Sequence, residues 1–253
     1  MLTISKAISS AQAQTYHKLE YTSAAQSYYK QDDTVRGEWQ GKLAASLGLS
    51  GEVAPLEFSR LTEGKHPQTE EQMVRHRGGK EYTNADGSTT RPVEHRAGSD
   101  ATFSAPKSVC LTALVGGDER VTDAHRAALT VALNELEKYT HARIGGNNPA
   151  ELTGKFAAAK FEHDTARPVN GYAAPQLHTH AIIFNVTERE DGSTRALQPQ
   201  ALFESQNYAT AVYQSAVTKH PRAQGAPMTV PRSPIKTVKP RVLGVSVNIA
   251  VSW

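Results

Sequence analysis

The run Leu177-His-Thr-His-Ala-Ile-Ile-Phe-Asn-Val186 is rich in apolar and β-branched residues and reads as a strand, the middle of a longer one over Gln176–Thr187. On a strand, residues two apart share a face, so His178 and His180 project together with Thr179 opposite. A second strand is predicted over Leu152–Glu162, and His163 stands at its end in Phe161-Glu-His-Asp164. If the two strands are antiparallel neighbours, His163 completes a facial set of three imidazoles. Such a set leaves positions on a metal ion open to substrate, as catalytic sites require. The spacing does not fix the reaction. His-x-His pairs arise by chance and often line a polar surface, and three imidazoles suit a zinc hydrolase or a cupin-like oxygenase equally well.

Around these strands the pattern is mixed. Leu2–Ile8 reads as a strand, and Ser9 or Ser10 can cap a helix over Ala11–Leu19. Further helices are predicted over Glu38–Leu47, from Pro55 to near Gly64, over Asp123–Thr140 and over Glu204–Ser215. The stretches Glu81–Thr83 and Arg91–His95 flank Asn84-Ala-Asp-Gly-Ser88, a hairpin signal. Asp191-Gly192 reads as a turn into a strand over Thr194–Leu197. The class is α+β.

Of the 253 residues, 38 % are hydrophobic and 21 % charged, which fits a globular fold and excludes wholesale disorder. The longest apolar stretches, Val109–Val115 and Ala181–Phe184, fall far short of the roughly 20 residues of a membrane span, so no membrane insertion is expected. A single cysteine, Cys110, excludes an internal disulfide and a cysteine-based zinc site. With no basic, then apolar, leader at the N-terminus, a cytoplasmic location is expected. The net charge of +3 is unevenly spread. Residues 1–204 hold 22 basic and 25 acidic side chains, a net of −3, and six basic residues with no acid follow. Five of the 13 prolines fall in that same acid-free end. The expected organisation is a folded domain over 1–217 and a basic, proline-rich tail over 218–253, which reads as a frameshifted or truncated end.

Tyr16, Tyr21, Tyr28 and Tyr29 cluster among polar residues. Tyrosines at such spacing commonly pack edge-on with the hydroxyl in solvent. The alternative is a phenolic nucleophile that attacks a phosphodiester. A phenol with an ordinary pKa of about 10 is mostly neutral at pH 7, so it needs a base, cationic surroundings or a metal polarising the phosphate.

Three further stretches bear on the choice: His95-Arg-Ala-Gly-Ser-Asp-Ala-Thr-Phe-Ser-Ala-Pro-Lys-Ser-Val109, Gly37-Glu-Trp-Gln-Gly-Lys-Leu43 and Gly116-Gly-Asp-Glu-Arg120. Together with Pro175-Gln-Leu-His-Thr-His-Ala181 and the N-terminal tyrosines, they closely resemble the relaxase domain of TrwC/TraI-type conjugative relaxases, the MobF class. The resemblance runs from residue 1 to about 216 with the motifs in the same order.

It implies a central antiparallel sheet with helices packed on one face and the metal and tyrosine site on the other. It also implies nicking and rejoining of one DNA strand at a plasmid origin of transfer through a 5′-phosphotyrosine. The implied metal ligands are His163, His178 and His180, with Asp100 orienting one of them. The implied cofactor is a divalent ion, magnesium or manganese first and zinc or nickel as alternatives. Tyr16 falls at the place of the first nucleophile, although the usual tyrosine pair is broken here to Tyr16-His17. Tyr21 is the second choice, and Tyr28 or Tyr29 would act in the second strand transfer. Lys107, Arg77 and Arg96 are the leading DNA contacts, with Arg75, Lys80, Arg91, Lys155 and Lys160 as further candidates. Implied partners are single-stranded origin DNA, relaxosome accessory proteins and a coupling protein. Two rival functions remain: a metal-dependent phosphoesterase that makes no use of the tyrosines, and an inactive DNA-binding remnant of a relaxase. Relatives of this type usually continue into a helicase, whose Gly-x-x-x-x-Gly-Lys-Ser/Thr loop is not present in these residues.

Overall fold

The computed structural model describes residues 1–22, 35–75, 82–83, 89–90, 95–145, 147–167 and 173–223. The strands are β1 (Leu2–Ile4), β2 (Ile8–Ser9), β3 (Gly37–Gln40), β4 (Tyr82–Thr83), β5 (Thr89–Thr90), β6 (Arg96–Ser104), β7 (His141–Ala142), β8 (Glu151–Leu152), β9 (Ala158–Thr165), β10 (Pro175–Phe184), β11 (Thr187–Glu188), β12 (Thr194–Arg195) and β13 (Leu197–Gln198). The helices are α1 (Ser10–Tyr16), α2 (Lys42–Ser46), α3 (Pro55–Thr62), α4 (Lys107–Cys110), α5 (Glu119–Glu137), α6 (Gln200–Glu204) and α7 (Gln206–Ala223). α1 and α4 each run on into a π-helical turn, His17–Tyr21 and Leu111–Val115.

The main sheet has the order β1-β6-β10-β9-β3, with β2 also on β6, and every pairing in it is antiparallel. β10 is therefore central, flanked by β6 and β9, and the register sets His178 opposite both Ser104 and His163.

The period of two along β10 divides its side chains between two cores. Leu177, Ala181 and Ile183 join Phe103, Leu129, Leu133 and Tyr213 beneath the two long helices α5 and α7. Ile182 and Phe184 join Phe161, Phe58 and Leu43 on the opposite face, under α1, α2 and α3. The long helices thus cover one face, and the histidines open on the other, which short helices partly cover. α5 earns its place by a stripe at helical spacing: Val121, Ala124, Ala128, Leu129, Ala132, Leu133 and Leu136 are all buried.

Several expected boundaries move. Glu38–Leu47 is not one helix. Gly37 and Trp39 are buried and alternate with outward-facing neighbours, so Gly37–Gln40 is an edge strand on β9, and only Lys42–Ser46 is helical. Gly41 makes the break: its φ is +113°, and a Cβ there would collide with the Phe156 carbonyl. Leu2–Ile8 splits into β1 and β2, while Leu152–Glu162 splits into β8 and β9, so His163 lies inside a strand and not at its end. The long helix starts at Glu119, four residues before expectation, because the Asp118 side chain accepts from the Arg120 N–H and caps it. The last helix breaks at Ser205 and then continues to Ala223, past the expected end at Ser215. The turn Asn84–Ser88 and residues 224–253 of the expected tail lie outside the described residues.

α1 begins with a reciprocal cap: Ser9 Oγ accepts from Gln12 N at 3.3 Å, and Gln12 Oε1 accepts from Ser9 N at 3.0 Å. This box anchors the segment that carries Tyr16. Ser9→Ala is expected to lower stability by about 1 kcal/mol in urea unfolding, and an unchanged midpoint would contradict that role for the cap.

Candidate metal and tyrosine site

β10 supplies His178 and His180, and β9 supplies His163. The three ring centroids stand 5.0–5.1 Å apart, and one nitrogen from each ring lies within 4.8 Å of the others. His163 and His178 are buried and His180 is half-buried.

Each ring donates to an oxygen through one nitrogen. His180 Nδ1 donates to Asp100 Oδ2 at 2.6 Å, His178 Nδ1 to the Gln176 carbonyl at 3.0 Å, and His163 Nε2 to the Tyr21 carbonyl at 3.0 Å. Carboxylate and carbonyl oxygens only accept, so the donating nitrogen must carry the proton, and in a neutral ring the other nitrogen keeps its lone pair. Burial also holds two rings neutral, pushing His163 down to about 3 and His178 to about 4. Three clustered imidazoles, each oriented through one nitrogen, make a donor set that fits a divalent metal ion.

Asp100 sits on β6, where the register sets it opposite Ile182. It is held on several sides: Asp100 N donates to Ser5 Oγ at 2.9 Å, Ser5 N donates to the Asp100 carbonyl at 2.8 Å, and Thr102 Oγ1 donates to Asp100 Oδ1 at 3.3 Å. The carboxylate thus meets His180 from beside the site, on the ring nitrogen that faces β6.

The tyrosines divide. Tyr21 is only 2 % exposed and stacks on Phe161, with centroids 5.3 Å apart and planes 14° from parallel. Its ring is 5.2 Å from His180, and its hydroxyl is 3.5 Å from Asp100 Oδ2. Tyr16 is half-buried, its ring edge-on to Tyr21 at 6.2 Å. His17, which stands in the broken tyrosine pair, is buried against Phe58 at 4.4 Å, and burial lowers its pKa. Tyr28 and Tyr29 lie outside the described residues.

Among the basic candidates, Lys107 is exposed at the start of α4, and its Nζ donates to the Pro175 carbonyl at 2.7 Å, close before the paired histidines. Arg96 is exposed at the other end of β6 and lines an open cleft of about 430 Å³ with Lys6, His95 and Phe203. Arg75 is exposed. Lys155 and Lys160 are tied to Glu188 at 2.6 Å and Glu38 at 2.8 Å, respectively. Arg77, Lys80 and Arg91 lie outside the described residues. Sequence reasoning missed Ser5 and Thr102, which steady Asp100, and Phe161, on which Tyr21 lies. Phe161 was legible as the residue two before His163 on one strand face.

An antiparallel sheet with three clustered imidazoles on one face and N-terminal tyrosines packed over them defines a relaxase-type domain. The chain belongs to the TrwC relaxase family, whose model matches residues 10–246. The multifunctional conjugation protein TraI of Escherichia coli strain K12 is 39 % identical over 173 residues, which are 65 % of this chain and 9 % of TraI. The chain thus spans less than a tenth of the curated relatives it matches. Among solved structures, the copper-bound conjugative relaxase TrwC in complex with oriT DNA is 35 % identical, with a TM-score of 0.71 over 90 % of this chain and 72 % of that one. TrwC complexed with a 27-mer DNA comprising the recognition hairpin and the cleavage site is 34 % identical, with a TM-score of 0.67 over 90 % and 70 %. Among the described residues, no helix is long and apolar enough to cross a membrane.

Proposed function

We propose that this chain nicks and rejoins one DNA strand at a plasmid origin of transfer through a 5′-phosphotyrosine, starting conjugative transfer. The observation that carries this reading is the juxtaposition of the three-imidazole set with a tyrosine-bearing segment packed directly over it.

His163, His178 and His180 would hold the ion, with Asp100 orienting His180 and the Tyr21 carbonyl orienting His163. A divalent ion bound there supplies Lewis-acid polarisation of the scissile phosphate. The all-nitrogen donor set favours manganese over magnesium and suits zinc or nickel still better in affinity, so supply in the cell decides among them. Tyr16 Oη gives up its proton to solvent and attacks phosphorus, and an O–P bond forms. The P–O3′ bond breaks, and the leaving oxygen takes up a proton to become a free 3′ hydroxyl. One phosphodiester replaces another, so the step is reversible, and the retained 3′ end can rejoin. Lys107 and Arg96, both exposed, are positioned to meet phosphates. The partners that follow are single-stranded origin DNA, relaxosome accessory proteins and a coupling protein, all in the cytoplasm.

The test is incubation with an oligonucleotide carrying a nick site. A covalent protein–DNA band on a denaturing gel is expected with Mn²⁺ and is expected to be absent with EDTA. Cleavage without an adduct would instead indicate a metal-dependent phosphoesterase, and binding without either would indicate an inactive remnant.

A further inference from the structure

Thr179 stands between the two histidines of β10 and points the opposite way, into the larger core. There its Oγ1 lies 2.8 Å from Nε2 of His125 on α5, and Nδ1 of that ring lies 2.6 Å from the hydroxyl of Tyr213 on α7. His125 and Tyr213 are 0 % exposed and Thr179 is 1 % exposed. The surroundings are Phe103, Leu129, Leu133, Leu177 and Ala181.

Polar groups buried this deeply are tolerated because each is paired. Apolar residues of the same shape could replace the whole chain at little loss of stability, so stability alone does not account for it. Register does. A slip of one residue along a strand turns every side chain to the other face, which here would put His178 and His180 into the core and Thr179 into the site. Burial specifies the face poorly, because Ala181-Ile-Ile-Phe184 is apolar on both sides. The risk is concentrated just before the histidines, where the pairing of β10 with β9 shifts register between Pro175 and His178. A hydroxyl that must meet His125 removes the ambiguity. Burial also pushes the Tyr213 phenol well above its ordinary value, so its proton remains available to the chain of hydrogen bonds.

We propose that Tyr213–His125–Thr179 is a positioning device that fixes the register and seating of β10 from behind the sheet. Its loss loosens the grip of the histidines on a metal that none of the three residues touches. The inference rests on the three-histidine metal reading.

The experiment is titration of Co²⁺ into the full chain, followed by the visible absorption of the bound ion, with thermal melts in parallel. Thr179→Val keeps the shape and removes the hydroxyl. It is expected to weaken Co²⁺ binding by about tenfold or more, while Thr179→Ser, which keeps the hydroxyl, is expected to stay within about twofold of the wild type. Thr179→Val with wild-type Co²⁺ affinity would overturn the proposal, whatever its melting temperature. If that variant does not fold, Tyr213→Phe carries the comparison. It removes only the outer hydroxyl, and unchanged affinity in it overturns the proposal equally. His178→Ala is expected to abolish Co²⁺ binding altogether. A wild type that takes no Co²⁺ would overturn the metal reading and this inference with it, an outcome distinct from tight binding by all the Thr179 and Tyr213 variants.

Discussion

Tyr16→Phe is expected to abolish the covalent protein–DNA band, by a factor on the order of 10³ or more, while Tyr21→Phe retains it at a reduced rate. The two phenols are close in space and differ in access. Tyr21 is 2 % exposed, sandwiched on Phe161, with its hydroxyl turned to Asp100. An attacking phenol has to approach phosphorus in line with the departing 3′ oxygen, and a DNA strand cannot deliver that geometry to a buried ring. Tyr16 is half-buried on the outer side of Tyr21 and keeps an accessible side. Each Phe variant removes one oxygen and leaves the ring packing intact, so both should fold and bind metal as the wild type does. Tyr21→Phe removes the contact with Asp100, and a slower reaction is expected because the residue that orients His180 is then less constrained. An adduct with Tyr16→Phe and none with Tyr21→Phe would transfer the role to Tyr21. Adducts with both single variants would pass it to Tyr28 or Tyr29.

The histidines were legible in the sequence because strand periodicity is a local rule: His178 and His180 on one face follow from their spacing alone. His163 needed the antiparallel pairing of β9 with β10, a long-range fact that no local pattern carries, and there the motif resemblance stood in for topology. Asp100 was legible only through its motif, since its partner His180 is on the neighbouring strand. Glu38–Gln40 was misread as helical because Glu38 to Leu47 is rich in helix formers. Sheet pairing with β9 and the positive φ of Gly41 override that propensity. His125 was invisible as a polar anchor. It falls on the buried stripe of α5, and the two groups that satisfy it arrive from residues 179 and 213.

In the metal-free protein, the same histidines should make stability strongly dependent on pH. His163 and His178 titrate near 3 and 4 when folded, against about 6.5 when unfolded, because burial penalises the charged rings. Between those values the unfolded chain binds protons that the folded chain refuses, so stability is complete above about pH 6.5 and falls as the pH drops below it. With two such groups, each approaching about 1.4 kcal/mol per pH unit once its unfolded ring is mostly protonated, roughly 3 kcal/mol should be lost between pH 6.5 and 5. Two other groups modify the slope. His17, also lowered by burial, adds to it. Glu137, raised by burial while it accepts from the N–H groups of Lys42 and Phe156, opposes it, because a carboxyl raised in the fold is relieved as the pH falls. Asp118, half-buried, and Asp191, exposed, are both lowered by hydrogen bonds to their carboxylates, so they matter only nearer the ordinary carboxylate range. Urea unfolding in EDTA at pH 7.5 and pH 5.0 measures the difference. His178→Gln should retain only about half of it, because one of the two refused protons is gone. Equal midpoints at the two pH values would mean that the imidazoles take up protons in the folded state, and a site that charges so easily would lose its hold on a metal in the same pH range.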